Sequence, residues 1–375
     1  MKAPQQTRVD LPTGTIDVVA EGAWSLDALC GFAARNNARR GFLVVSNVLG
    51  RHVPARPSVM RRTFMDLAAM LDPDLPGPVL FIGMAETATC LGQGVHEEYL
   101  EMTGRDDVVT MHSTRQVVPG EVMLRFVEPH SHASDHLLYV PTDPKVRTAV
   151  ESARTVVLVD DEASTGTTFV NLANALVECL PTIERIETVV LADWTRDRSY
   201  LQRMPRTAGA ASLLYGSLTW TPHSQTAQET VHPPRHALGS MEDHHNFGRM
   251  GRLDVADEGD GLVDLVSKDE PSSYLVLGSG EFTYPPFRIA EELERRGHDV
   301  VVQSTTRSPV HVGGAIGSAI SFSDNYGTGV ENYLYNQTKE SGRIVVACHE
   351  TPKGTMCPEL HRQLEVIALP FGENA

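Results

Sequence analysis

The chain has 375 residues, enough for two domains and a large buried core. With 41% hydrophobic and 21% charged residues it is not a disordered chain, and a net charge of −16 at pH 7 speaks against nucleic-acid and anionic-membrane surfaces while leaving room for a small anion held locally. No amino-terminal leader or apolar run of transmembrane length is read, and Cys30, Cys90, Cys179, Cys348 and Cys357 lack CxxC spacing, so the expectation is a reduced, soluble, cytoplasmic protein.

Alternating apolar positions at Ile16, Val18 and Ala20 predict an edge strand or arm within the first 25 residues. A helix is expected over 23–34 and a buried strand over 42–45, followed by Ser46-Asn47, Gly50 and the basic pair Arg51-His52. By spacing alone Arg39, Arg40 and Arg51 read as solvated surface charge. An amphipathic helix over 58–71 (Met60, Phe64, Leu67, Ala68, Leu71) ends in the Pro- and Asp-rich turn 72–78. A second buried strand over 79–82 enters the tight turn Gly83-Met84-Ala85-Glu86-Thr87 and a helix of small residues. Small side chains there serve either a close approach of backbone to an anion or close helix packing. Between Met111 and His136 the polar density and Pro129 predict a long loop of the kind that acts as a lid. Within it the HxHxxxH spacing of His130, His132 and His136 opens the option of a transition-metal site.

The most informative stretch runs from 156 to 168: Val156-Val157-Leu158-Val159-Asp160-Asp161-Glu162-Ala163-Ser164-Thr165-Gly166-Thr167-Thr168. Four apolar residues, three of them β-branched, predict a buried parallel strand, and Phe169, Leu172, Ala173 and Leu176 predict the helix that follows. The turn between them has hydroxyls, a flexible Gly166 and a helix start whose amides and dipole favour an anion. No Lys follows the glycine, so it is not a Walker A loop. Asp160 and Asp161 would accept hydrogen bonds from sugar hydroxyls while Ser164 to Thr168 hold a 5-phosphate, which describes ribose 5-phosphate. These thirteen residues resemble the 5-phosphoribosyl 1-diphosphate (PRPP) motif of type I phosphoribosyltransferases: apolar strand, two acids, Thr-Gly-Thr loop.

Further on, a strand over 187–194 brings Asp193 and Trp194 to the ligand edge of the sheet, where Trp194 either stacks on an aromatic acceptor or belongs to the core. A strand pair is expected over 206–221, then a His- and Pro-rich connection to about 250. The acidic stretch Asp254 to Asp264 marks a linker over 253–272. The second domain opens with a strand, the turn Gly278-Ser279-Gly280-Glu281, a helix and a strand, the unit of a small parallel α/β sheet. GxGE does not imply a dinucleotide. Arg307 among the hydroxyls of Thr305-Thr306-Arg307-Ser308-Pro309 suits a phosphate or carboxylate, or else caps a surface turn.

The stretch around 36–54 and the letters Thr-Arg-Ser-Pro at 306–309 are similar to a bacterial group of phosphoribosyltransferases found in tellurite-resistance gene clusters, whose C-terminal TRSP domain is named after them. The resemblance implies an α/β protein with a type I phosphoribosyltransferase fold, a parallel sheet flanked by helices, over 1–252, and a smaller α/β TRSP domain over 273–375. It implies that Gly83, Met84, Ala85, Glu86 and Thr87 hold the diphosphate, with Glu162 to Thr168 on the rest of PRPP. Arg115 and Arg125 would neutralise the leaving group and Asp160 and Asp161 would stabilise the oxocarbenium-like ribose, touching Mg²⁺ only through PRPP. Trp194, His130 and His132 are acceptor candidates, and Gly278, Gly280, Glu281, Arg307 and Ser308 candidates for a second-domain ligand.

The expected function is transfer of 5-phosphoribosyl from PRPP to a nitrogenous or nucleobase-like acceptor in nucleoside-like metabolite biosynthesis, with PRPP and a small acceptor as partners and the chain as a homodimer. Two other classes stand beside it: a PRPP- or nucleotide-binding regulator without turnover, and a metal-dependent hydrolase using His130, His132 and His136.

Overall fold

The computed structural model describes residues 4–35, 40–127, 135–223, 239–240, 245–255 and 261–371. Strands β1 (Gln5–Leu11) and β2 (Gly14–Gly22) form an antiparallel hairpin. A single helical turn, α1 (Leu26–Leu29), leads to β3 (Cys30–Ala34), which pairs antiparallel with β4 (Phe42–Ser46). The helix expected over 23–34 is therefore only its first turn. Gly31 is a poor helix former, and a Cβ there would lie 2.9 Å from that of Ala315.

The next elements follow the expected pattern: α2 (Pro57–Ala68), β5 (Val79–Gly83), α3 (Thr89–Thr103) and β6 (Val108–His112). After the short β7 (Gln116–Val117), β8 (Val122–Val127) and β9 (Asp135–Tyr139) pair antiparallel where a loop is expected. Apolar partners override the polar composition here, since Phe126 and Leu138 enter the core. His130 and His132 lie outside the described residues.

Asp143 caps α4 (Pro144–Glu151), its carboxylate accepting from the amides of Lys145 and Val146. Then come β10 (Thr155–Ala163), α5 (Thr167–Cys179), β11 (Arg185–Asp193) and β12 (Thr207–Pro222). β12 is one strand of 16 residues, not the pair expected over 206–221. Gly216 in its middle lets β2 come close, since a Cβ there would fall 2.0 Å from the carbonyl oxygen of Val19. The remaining elements are β13 (Gly239–Ser240), α6 (Val263–Val266), β14 (Ser273–Gly278), α7 (Tyr284–Arg295), β15 (Asp299–Ser304), β16 (Ala319–Ser323), β17 (Glu331–Tyr335), β18 (Ile344–His349), α8 (Pro358–Leu364) and β19 (Ile367–Pro370).

By its contacts the chain forms two compact units. One comprises 61–213 and 238–258. Its sheet runs β12-β11-β10-β5-β6, with β11, β10, β5 and β6 parallel. Val156 to Val159 are buried, and Leu158, Ile82 and Met111 join Phe169, Leu172 and Leu176 of α5 in one core. The other unit comprises 1–60, 214–237 and 259–375. It holds the parallel sheet β15-β14-β18-β19, and in it β2 pairs with β12 from Leu214 onward. Residues 50–55 run beside β15: Ala55 N–H donates to the carbonyl of Val302 (3.0 Å) and Ser304 N–H to that of Gly50 (2.7 Å). Among the described residues no helix is long and apolar enough to cross a membrane.

The unit formed by 61–213 and 238–258 also contains an acid-sensitive group. His96 on α3 is 2% exposed and packs edge-on to Phe81, and burial holds its imidazole at about 4, down from 6.5. An unfolded chain binds that proton near pH 6.5 and the folded one only near pH 4, so stability is complete above 6.5 and declines as the pH falls toward 4. The slope from this group is about 1.4 kcal/mol per pH unit. Melting temperatures recorded across this window should therefore drop with acid, and His96→Leu should flatten that dependence.

Candidate active site

β10 stays extended past its apolar stretch, so Asp160, Asp161 and Glu162 stand half-buried at its carboxyl end. Val159 pairs with Gly83 of β5, and Asp160 with Val190 of β11. The Asp161 amide donates to Asp160 Oδ1 (2.9 Å). Beyond Ala163 the chain turns through exposed Ser164 and Thr165 into α5. Thr165 Oγ1 accepts from the Thr167 amide (3.3 Å) and donates to Thr167 Oγ1 (3.0 Å), while Arg203 donates to the Thr165 carbonyl (3.2 Å). Gly166 takes φ +69° at the helix N-cap, and a Cβ there would lie 2.2 Å from Tyr200 Cγ. Thr167 and Thr168 open the first turn, whose amides lack intrahelical partners and whose dipole favours negative charge.

The second predicted loop lies beside the first. Met84 N–H donates to the carbonyl of Val159 (3.0 Å), so the turn 83–87 and the loop 160–168 leave adjacent strands at the same edge. Gly83 and Gly92 serve close packing as well: a Cβ on Gly92 would stand 2.7 Å from Gly83 Cα. Glu86 is buried, Thr87 half-buried, and the Ala85–Glu86 peptide is cis.

What holds this turn is Arg115 and His136, both singled out in the sequence for other roles, together with Ser113, which was not. The Ala85 N–H donates to Ser113 Oγ (3.0 Å) and the Ala85 carbonyl accepts from Arg115 Nη2 (3.3 Å). His136 sits between those two side chains, Nδ1 3.0 Å from Ser113 Oγ and Nε2 3.3 Å from Arg115 Nη2, its ring stacked on Phe126. A guanidinium only donates, so Nε2 is the unprotonated nitrogen and Nδ1–H donates to Ser113. Ser113 and His136 are wholly buried, and Arg115 is 8% exposed. Both His136 nitrogens are thus committed, and an imidazole sharing Nε2 with an arginine is unfit as a metal ligand. The only advance signal for Ser113 was its place in the polar run after the apolar residues of β6.

The other candidates are dispersed. Arg125 is exposed on β8. Trp194 follows β11, its amide donating to the carbonyl of Ala163 (2.7 Å). Its ring is 5% exposed, and the indole Nε1 is buried without a hydrogen-bond partner among the described residues. In the other unit, Gly278 abuts the carbonyl of Phe282, Gly280 takes φ +60° and Glu281 is buried. Arg307 is half-buried, and the Ser308 amide donates to Thr306 Oγ1 (3.2 Å). Arg51 is not solvated charge: it is 4% exposed and donates to the Gly280 carbonyl (2.6 Å) and to Ser304 Oγ (3.1 Å). Among the described residues no cluster of three His, Cys, Asp or Glu side chains could hold a metal by itself. The carboxylates at 160–162 beside hydroxyls do fit a hard cation that takes most of its oxygens from a bound ligand.

Residues 29–217, just over half of the chain, match the family model described as phosphoribosyl transferase, and 252–364 match the TRSP domain C-terminal to it. No curated protein matches the chain. Among solved structures it is similar to adenine phosphoribosyltransferase of Rhodothermus marinus, at 15% identity over 50% of this chain and 94% of that one, with a TM-score of 0.33. The Giardia lamblia enzyme with 9-deazaadenine gives 16% identity over 51% and 97%, TM-score 0.34. That of Trypanosoma brucei with AMP, pyrophosphate and ribose-5-phosphate gives 14% identity over 49% and 76%, TM-score 0.33. On the family match, the chain belongs to the phosphoribosyl transferases, PRPP-dependent pentosyltransferases, and carries a TRSP domain behind the transferase domain.

Proposed function

We propose that the chain transfers 5-phosphoribosyl from PRPP to a nitrogenous, nucleobase-like acceptor in the making of a nucleoside-like metabolite. The observation that carries this reading is the pair Asp160 and Asp161 at the end of β10, immediately before a hydroxyl-rich loop at the start of α5. Ser164 to Thr168 hold the 5-phosphate and Asp160 and Asp161 accept from the ribose hydroxyls. As the anomeric bond to diphosphate breaks, the same carboxylates stabilise the positive charge that develops on the ring. The turn 83–87 receives the leaving diphosphate. Asp160 and Asp161 would lie beside a Mg²⁺ carried on PRPP, which when bound would supply charge neutralisation for diphosphate. Trp194, whose backbone amide donates to Ala163 and whose indole N–H lacks a partner among the described residues, is our candidate for the acceptor side. Residues 1–252 and 273–375 are the proposed functional division, in a cytoplasmic homodimer. Calorimetric titration of PRPP with Mg²⁺ tests the donor half of this reading, and a screen of bases for diphosphate release tests the acceptor half; a wild-type protein that binds no PRPP sinks both.

Beside neutralising the leaving group, Arg115 holds the diphosphate turn, its Nη2 donating to the Ala85 carbonyl. His136→Phe keeps a ring on Phe126 but leaves Arg115 and Ser113 without their shared partner. Losing buried hydrogen bonds of this kind costs about 1–3 kcal/mol. The variant is expected to melt several degrees lower and to bind PRPP about tenfold more weakly in the same titration. Unchanged PRPP affinity in a folded His136→Phe protein would detach the clamp from the donor site.

A further inference from the structure

The loop read as the 5-phosphate grip has no positive side chain of its own. Neither residues 160–166 nor α5 contains a Lys or Arg, and Asp160, Asp161 and Glu162 stand immediately before the loop. A phosphate monoester brings close to two negative charges at neutral pH, whereas a helix start offers only about half a positive one. Charge balance therefore calls for a cation from elsewhere in the chain.

A short 3₁₀ turn, Ser199–Arg203, follows β11 and backs the loop. Its Tyr200 packs against Gly166, and Arg203 Nη2 donates to the Thr165 carbonyl (3.2 Å) from 38 positions downstream. The turn is anchored on the sheet. Arg198 Nε donates to the wholly buried Asp193 (2.9 Å) and Arg198 Nη2 to Ser212 Oγ (2.7 Å), while the Tyr200 hydroxyl is 2.7 Å from Thr188 Oγ1. In a trans peptide the carbonyl and the following N–H point in opposite directions, and the Thr165–Gly166 bond is trans. With the Thr165 carbonyl turned to Arg203, the Gly166 N–H therefore faces away from it. The Thr167 amide turns back to Thr165 Oγ1, but those of Ser164, Thr165 and Gly166 donate to no group among the described residues.

We propose that Arg203 is a positioning residue of the 5-phosphate site: by holding the Thr165 carbonyl it fixes the Thr165–Gly166 peptide with its N–H turned to the phosphate, and its charge offsets that of the acids at 160–162. This role rests on residues 160–168 being the PRPP loop. An exposed guanidinium on a neutral carbonyl adds little to the stability of a fold. The effect of Arg203 is therefore read in the ligand and not in the melting temperature.

Two variants of the full chain test it: Arg203→Met, which removes both charge and donor from a long side chain, and Arg203→Lys, which keeps both. Calorimetry with Mg²⁺ and PRPP gives the affinity, and phosphorus NMR of bound PRPP separates the 5-phosphate signal from those of the diphosphate. Arg203→Met should bind PRPP about five- to tenfold more weakly, move the bound 5-phosphate signal, leave the diphosphate signals in place and melt as the wild type does. Arg203→Lys should bind within about twofold of the wild type. An unchanged affinity in Arg203→Met, a loss that Arg203→Lys shares in full, or a change confined to the diphosphate signals overturns the proposal and leaves the donor site standing. A wild-type protein that binds no PRPP removes the donor site itself, and the role of Arg203 with it.

Discussion

Asp160→Asn/Asp161→Asn is expected to bind PRPP about tenfold to a hundredfold more weakly than the wild type and to release diphosphate about a hundred to a thousand times more slowly. The two figures differ because they read different charges. In the bound ground state the carboxylates accept hydrogen bonds from neutral ribose hydroxyls, and an amide oxygen retains part of that capacity. In the transition state the ring carries positive charge, and a neutral amide no longer opposes it. The substitution is isosteric and both residues are half-buried at a strand end, so the fold should survive it. Calorimetry with Mg²⁺ and PRPP gives the first quantity and a coupled diphosphate assay the second. A double variant that binds PRPP as the wild type does would remove Asp160 and Asp161 from the site.

Gly166→Ala is the smallest change expected to disable the phosphate loop. Gly166 sits at φ +69° with ψ 2°, a conformation that costs a residue with a Cβ about 1–3 kcal/mol. The added methyl would also meet Tyr200, at 2.2 Å from Cγ and 2.5 Å from Cβ. Tyr200 has little room to withdraw. It is 1% exposed, its hydroxyl is 2.7 Å from Thr188 Oγ1 and its ring stacks on Phe169; burial pushes its phenol up to about 12. The loop therefore moves instead, taking the helix-start amides off the phosphate position. We expect PRPP affinity to fall at least a hundredfold, with a lower melting temperature. Adding Tyr200→Ala should return part of the affinity, because it relieves the overlap but not the backbone strain. If Gly166→Ala bound PRPP normally, the 5-phosphate would have to lie elsewhere.

The donor loop was legible because its signals are local. A β-branched run, two acids, hydroxyls and a glycine describe strand, edge and helix start within thirteen residues, and the fold places them so. The turn at 83–87 was legible for the same reason. Its support was not. Ser113 and His136 touch across a hairpin, and the polar letters between Met111 and His136 argue for a loop until Phe126 and Leu138 are seen in the core. Arg51 shows the limit of spacing, which alone describes a solvated charge; the family resemblance weighed against that, and the tertiary contacts show a buried side chain bonded to a carbonyl 229 positions away. The helix expected over 23–34 was misread because Ala, Leu and Phe serve helix and strand equally, and Gly31 decides by what it must approach.

The division of the chain has a consequence for its synthesis. The unit that contains 1–60 also requires 214–237 and 259–375, whereas the unit formed by 61–213 needs only 238–258 beyond its own continuous run. As the polypeptide leaves the ribosome, the transferase sheet β11-β10-β5-β6 can therefore close while residues 50–55 still wait for a partner strand, β15, that emerges some 240 residues after them. Nascent chains stalled before residue 299 should carry a formed β11-β10-β5-β6 sheet and an unpaired 50–55 segment, the species on which a chaperone would act.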